Sequence, residues 1–160
     1  MTANIRRFED RDVDPVVGLS LRAWGPVFTS MANVLGSAIF AQLHPDWESG
    51  QAQAVKDVCA SHVGNVWVAE VGAQVVGFVA IEFHQDGRTG EISMLAVDPD
   101  AQKQGVGTAL TEFALARIKD AGMTMAIVET GGDPGHAPAR RTYEKAGYTL
   151  LPIARYFKAL

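Results

Sequence analysis

Apolar positions along this chain follow two periods, and the switches between them divide the sequence into elements. Residues 4 to 8 read as a short edge strand, and Asp10 to Trp24 follows with Val13, Val16, Val17, Leu21 and Trp24 at helical spacing behind an acidic start. From Gly25 to Ser61 the helical period persists, with Gly36, Pro45 and Gly50 as breaks, which predicts two short helices. The period then drops to two. Asn65 to Val71 and Gln74 to Phe83 flank Gly72-Ala73 as a hairpin, and Gly87 to Gly90 turns the chain into a third run, Glu91 to Val97, ended by Asp98-Pro99. Val106, Leu110, Phe113, Ala114 and Ile118 restore the helical period up to Gly122. Met123 to Thr130 predicts a strand, Gly131 to Gly135 a loop, Ala139 to Ala146 a short helix, and Tyr148 to Lys158 a last strand interrupted by Pro152. A helix joining the strands at 91–97 and 123–130 is a crossover, so those two strands should be parallel. The order predicts one α/β domain over residues 1–160, with a mixed, mostly antiparallel sheet flanked by helices.

Composition narrows the setting. The chain has 160 residues, 48% of them apolar and 20% charged, enough for a sizeable core without staples. Its formal charge of −4 offers no positive field to nucleic acid or anionic lipid, so neither is an expected partner. The single cysteine, Cys59, forms no internal disulfide, and no secretory segment or membrane-length apolar run is present; the expected location is cytoplasmic. His44, Asp46, His62 and His84 show no metal-ligand spacing, so no metal is expected. Cys59 lies on an apolar helical stretch and reads as a small buried hydrophobe rather than a nucleophile.

The chemistry concentrates where strand gives way to helix, at Gln102-Lys103-Gln104-Gly105-Val106-Gly107-Thr108. Two glycines in a first helical turn cost about 1 kcal/mol each relative to alanine, so a compensating contact is expected. Two readings stand. Either the glycines let the helix pack tightly on the sheet, or they admit an anion to the unpaired N–H groups at the positive end of the helix dipole, with Lys103 adding charge. The phosphate loop G-x-x-x-x-G-K-[ST] is absent, and the dinucleotide fingerprint would need a third glycine where Leu110 stands.

Q-x-x-G-x-G after the strand Leu95-Ala96-Val97-Asp98-Pro99, in this order of elements, resembles the acetyl-CoA-binding motif of the GNAT (GCN5-related N-acetyltransferase) superfamily. A second block, Ala139-Arg140-Arg141-Thr142-Tyr143-Glu144-Lys145-Ala146-Gly147-Tyr148, is similar to that family's later A-R-x-x-Y-E-K-x-G-F/Y segment. The resemblance implies acetyl-CoA as co-substrate, with backbone groups of Leu95, Ala96 and Val97 pairing with the pantetheine arm like an added strand. It implies that N–H groups from Gln102 through Lys103, Gln104, Gly105, Val106 and Gly107 to Thr108 cradle the pyrophosphate. The strands at 91–97 and 123–130 would splay to admit the thioester, with the Leu95 N–H facing its carbonyl. The family often has Asn where His136 stands, which puts the cofactor contact at that position in doubt.

Transfer to an amine needs a base for the ammonium and an acid for the departing thiolate. The resemblance puts the Tyr143 hydroxyl near the sulfur as acid; the plainer reading is a tyrosine packed on the sheet. Glu91 matches the family's glutamate base. Strict alternation puts Glu91, Ser93, Leu95 and Val97 on one strand face, so a bulge or bridging water would help Glu91 reach the amine. A solvated strand-end carboxylate is the competing reading, and Glu82 and Glu129 are rivals. Arg140 and Arg141 either meet the 3′-phosphate or stay solvated. His136 binds substrate, acts as base, or caps the following helix, capping being the first choice. Trp24, Phe28, Phe40 and Trp47 offer an aromatic wall for the acceptor or simply build core. The expectation is direct acetyl transfer to a small-molecule or peptide primary amine in a ternary complex. A catalytically silent acyl-CoA-binding module is the alternative. Nothing in the pattern argues against a homodimer.

Overall fold

In the computed structural model, which describes residues 2–160, β1 (Asn4–Arg7), β2 (Val66–Val71), β3 (Gln74–His84), β4 (Thr89–Val97) and β5 (Met125–Val128) form one sheet in that order. The first three pairings are antiparallel and β4–β5 is parallel, as the crossover requires. The crossover is α4 (Val106–Asp120), whose Leu110, Ala114 and Ile118 pack with Trp67, Val79, Ile81 and Ile92 on one face of the sheet. The other face carries α1 (Val13–Leu35) and α3 (Trp47–Ser61), where Val16, Leu19, Val55 and Cys59 meet Val68, Phe78, Ala80 and Ala96. α2 (Ser37–Leu43) links these two helices, and α5 (Ala137–Lys145) follows β5.

The helical region differs from expectation. α1 runs unbroken through Gly25 and Pro26 to Leu35, because the stripe Val16, Leu19 and Phe28 is buried along its length and outweighs local propensity. Gly50 lies inside α3, whereas Gly36, at φ +80°, does end α1. β4 begins two residues earlier than its apolar run, at Thr89. The predicted last strand is absent: residues 149–160 are exposed and pair with no strand, leaving Leu151, Ile153 and Tyr156 uncovered. That segment has the strand pattern but no partner, and Pro152 removes one donor from its row.

β1 is tied to the start of α1. The Arg6 guanidinium donates to both Asp12 carboxylate oxygens at 2.8 and 2.9 Å and to Glu70 on β2 at 2.7 Å. Asp12 is buried, and the Arg6 hydrogen bonds hold its carboxyl below the usual range against the upward push of burial.

Candidate active site

β4 is paired on both sides over only part of its length. Its register with β5 runs from Thr89–Met125 to Ile92–Val128 and stops, while β4 continues to Val97. Residues 93 to 97 therefore keep β3 on one side and have no strand on the other. This is the splay expected from the sequence, and it leaves an open row of backbone groups suited to an extended ligand.

The row leads to the first turn of α4. Asp98 caps the turn at Pro99–Ala101 by accepting from the Asp100 N–H at 3.0 Å. Gln102 Nε2 donates back to the Val97 carbonyl at 3.1 Å, and Gln104 Nε2 to the Asp100 carbonyl at 3.2 Å. Both glutamine side chains thus build the loop. Lys103 and Gly105 take positive φ, +63° and +84°, which turns the chain sharply into the helix. The first helical bond runs from the Ala109 N–H to the Gly105 carbonyl, and no side chain caps this end, so the N–H groups of Gly105, Val106, Gly107 and Thr108 have no intrahelical partner.

What the two glycines face bears on the packing reading, and Gly105 is in any case set by its positive φ. A Cβ built on Gly105 would meet nothing within 4 Å, and one on Gly107 would lie at an ordinary 3.7 Å from Val97 Cγ2. Packing does not require glycine at either. Close helix-to-sheet packing needs it instead at Gly77, where a Cβ would lie 3.0 Å from the Ala96 carbonyl oxygen and from Leu110, and at Gly90, where it would lie 2.5 Å from Ile118. Gly90 is therefore a strand residue under α4 rather than turn punctuation. The open, uncapped N–H groups have the donor chemistry that a phosphate anion takes at a helix N-terminus.

α1 roofs the splay and is pinned on both sides of it. Arg22 pairs with buried Asp98 at 2.5 Å, at the end of β4. Eight residues later, about 12 Å along the helix, the Ser30 hydroxyl donates to Asp133 in the β5–α5 loop at 2.7 Å. Burial raises both carboxyls, yet each ends below the usual range: Arg22 and the Asp100 N–H lower Asp98, and Ser30 and His136 lower Asp133.

The candidate side chains divide around this gap. Glu91 does not share a face with Leu95 and Val97. Ile92 is opposite Ile81 and Met94 is opposite Ala80, so Ser93 is a bulge residue that reverses the alternation. Leu95 and Val97 face α4, whereas Glu91 turns to the α1–α3 side with Met94 and Ala96, opposite Glu82. There His84 Nε2 contacts the Glu91 carboxylate at 3.1 Å, and ligand atoms of Glu82, His84 and Glu91 lie within 4.8 Å of one another. Sequence spacing did not show this group, because the hairpin assembles it across strands. Glu129 is exposed, just past β5.

Tyr143 is half-buried on α5, edge-to-face with Tyr148 at 5.9 Å, and burial, with Tyr148 adding, pushes its hydroxyl up to about 12. The Tyr148 hydroxyl is buried without a protein partner. His136 occupies the N-cap position of α5, but its side chain caps nothing; its Nδ1 contacts the Asp133 carboxylate instead. Arg140 braces the same loop, its Nη1 donating to the Gly131 and Asp133 carbonyls at 2.6 and 2.8 Å. Arg141 is exposed. Phe28 stacks on Trp47 at 4.6 Å and meets His44 and Phe40 edge-on, so most of the aromatic wall ties α1, α2 and α3 together; Trp24 packs toward the sheet. Cys59 is buried and its thiol pushed up to about 11, unsuited to nucleophilic attack.

Comparison with known proteins agrees with this geometry. Residues 62–150 match the acetyltransferase (GNAT) domain model. Mycothiol acetyltransferase from Sanguibacter keddieii is 35% identical over 148 residues, covering 85% of this chain and 45% of that protein; the Streptomyces bingchenggensis enzyme of the same name is 28% identical over 145 residues, with coverage of 85% and 45%. The chain spans about half the length of the curated relatives it matches. Among solved structures, PaiA N-acetyltransferase from Thermoplasma acidophilum in complex with coenzyme A superposes with a TM-score of 0.72 at 14% identity, covering 96% of this chain and 94% of that one. A GNAT acetyltransferase from Brucella melitensis in complex with acetyl-CoA does so at 0.61 and 18%, covering 92% and 83%. At such identities these two structures speak for the fold alone. Sequence blocks, fold and matched domain agree, and the chain belongs to the GNAT acetyltransferase family.

Proposed function

We propose that this chain binds acetyl-CoA along the open edge of β4 and at the first turn of α4, and transfers the acetyl group to a primary amine by direct attack in a ternary complex. The observation that carries this reading is the pairing of two unfilled features. Five residues of β4 lack a strand on the β5 side, and they lead into four helix-terminal N–H groups with no side chain over them. Acetyl-CoA supplies the activated acyl group and a thiolate leaving group.

In this reading the backbone of Leu95, Ala96 and Val97 binds the pantetheine arm, and the segment Gln102–Thr108 holds the pyrophosphate through main-chain donors. Lys103 adds charge beside it. The Leu95 N–H polarises the thioester carbonyl and stabilises the oxyanion as it forms. Glu91, turned to the acceptor side by the Ser93 bulge, takes the ammonium proton, with His84 holding its carboxylate. The Tyr143 hydroxyl, kept neutral by burial, donates to the nascent thiolate. Trp24 and Phe28 on α1 and Trp47 on α3 line the acceptor side. The protein acts in the cytoplasm, without a metal, on a small amine. The relatives named mycothiol acetyltransferase make amino-bearing small molecules the first acceptors to test.

Calorimetry with CoA, followed by thiol release from acetyl-CoA over a panel of amines with water as control, tests this. The expected result is saturable CoA binding and release that depends on one acceptor class. Binding with only background hydrolysis would indicate a silent CoA-binding module. No binding at millimolar CoA would overturn the reading.

A further inference from the structure

Away from the first turn of α4, a second group of chemistry-bearing side chains gathers on the α1–α3 side of the sheet. Register sets Glu82 on β3 directly opposite Glu91 on β4, an arrangement in which like charges repel. Among the described residues neither carboxylate pairs with a lysine or an arginine. Each meets a histidine instead: His84 Nε2 stands 3.1 Å from Glu91 Oε2, and His62 Nε2 stands 3.7 Å from Glu82 Oε2. His84 lies two residues beyond Glu82 on β3 and so shares its face. His62 arrives from the C-terminal end of α3. The cluster therefore draws on three segments of the chain.

Two observations give this cluster the character of a metal site. The His62 Nε2 atom is buried without a hydrogen-bond partner, while Nδ1 of the same ring stands 2.9 Å from the Ser61 hydroxyl. With Nδ1–H donating to Ser61 Oγ, Nε2 carries a free lone pair beside Glu82, the arrangement by which a metal-binding imidazole is held through its other nitrogen. Ligand atoms of Glu82, His84 and Glu91 also lie within 4.8 Å of one another. Tetrahedral ligation at about 2.1 Å needs separations of about 3.4 Å. His84 and Glu91 already meet that, and Glu82 and His84, both nearly half exposed, have the freedom to close the rest. Two imidazoles and two carboxylates suit Zn²⁺ rather than Mg²⁺ or Ca²⁺, which take oxygen ligands. One divalent ion also neutralises the two carboxylates and ends the repulsion across the strands.

We propose that His62, Glu82, His84 and Glu91 bind Zn²⁺, and that the bound ion switches acetyl transfer off. The inhibitory half rests on the acetyl-transfer reading above, in which the reaction needs no metal and Glu91 is the base; the binding half stands on the cluster alone. A Glu91 carboxylate that ligates Zn²⁺ is a much weaker base, so the acceptor ammonium keeps its proton and does not attack. His84 turns its Nε2 lone pair from the carboxylate to the ion with the ring proton on Nδ1, so no proton leaves the protein. The Leu95–Val97 edge and the first turn of α4 supply none of the four ligands, and binding of acetyl-CoA is left intact.

The intact, metal-free chain is titrated with Zn²⁺ by calorimetry in millimolar Mg²⁺, with the histidine ring resonances followed by NMR. One ion per chain should bind, and the His62 and His84 signals should move while those of His44 and His136 stay. Glu82→Gln and His62→Gln should each weaken Zn²⁺ binding at least about tenfold. No saturable binding, an affinity unchanged in both variants, or a response confined to His44 or His136 would overturn the site. With an acceptor in hand, transfer is followed as acetylated product, because zinc also binds free thiols. Saturating Zn²⁺ should lower kcat of the parent about 100-fold with the affinity for acetyl-CoA unchanged, and His62→Gln, with the parent's turnover in the absence of zinc, should need at least about tenfold more zinc for the same loss. Zinc bound at the cluster with kcat unchanged would overturn the inhibitory half. A chain that binds zinc in this way and binds no acetyl-CoA would overturn the acetyl-transfer reading and leave the metal site standing.

Discussion

The two stretches of α4 use glycine in opposite ways. Along its body, from Leu110 to Ile118, the helix presses on the sheet so closely that β3 and β4 must supply Gly77 and Gly90 beneath it. At its first turn the helix carries its own glycines, Gly105 and Gly107, and no protein atom presses on either. The first stretch is a packed interior, in which an added methyl has nowhere to go. The second is open: Gly105 is set by its positive φ, and Gly107, inside the helix, costs stability that packing does not return. That difference separates a close-packed stretch of α4 from an open one.

Substitutions that exchange the two behaviours should have unequal effects. Gly90→Val drives a branched side chain into Ile118 and should destabilise the fold by about 3 kcal/mol, seen as a lower denaturation midpoint with an unchanged slope. A midpoint like that of the parent would show that α4 is free to move off the sheet. Tyr143→Phe leaves both stretches of α4 intact and should lower kcat about 100-fold while CoA affinity is retained in calorimetry.

Acid should loosen the roof before it loosens the packed stretch. Asp98 and Asp133 have lowered folded-state values, so the stability they contribute is fully present above the ordinary carboxylate value near 3.9 and is lost as pH falls through their folded values. Thermal melts between pH 7 and pH 2 should show that loss in the parent and a shallower one in an Arg22→Ala, Ser30→Ala double variant. The smallest effect is the most discriminating in sign. Gly107→Ala should raise stability by up to about 1 kcal/mol and at the same time weaken CoA binding, since the new methyl occupies the cradle.

Much of this arrangement was legible in the sequence, and the exceptions have physical causes. The hairpin turn at Gly72, the end of α4 at Gly122 and the splay of β4 from β5 follow from local turn chemistry and from the family resemblance. Ending the first helix at Trp24 was wrong because a buried stripe carries α1 on to Leu35. The strand reading of 148–158 failed because alternation records an appetite for pairing, whereas pairing needs an edge that accepts it. Glu91 was assigned to the wrong face because the bulge at Ser93 leaves the pattern Glu-Ile-Ser-Met-Leu-Ala-Val looking regular. The bulge brings Glu91 to the α1–α3 side of the sheet, the outcome that strict alternation could not provide. Asp133 and Ser30 stand 103 residues apart and carry no shared motif, so only the fold brings them together.

The central claim is that the first turn of α4 is open for a ligand. Calorimetry with CoA on the parent and on Gly107→Val, each paired with a denaturation curve, tests it most directly. The account predicts saturable binding by the parent and none by the variant up to millimolar CoA, with the two folding stabilities within about 1 kcal/mol of each other. A well-folded Gly107→Val protein that binds CoA as tightly as the parent would contradict it.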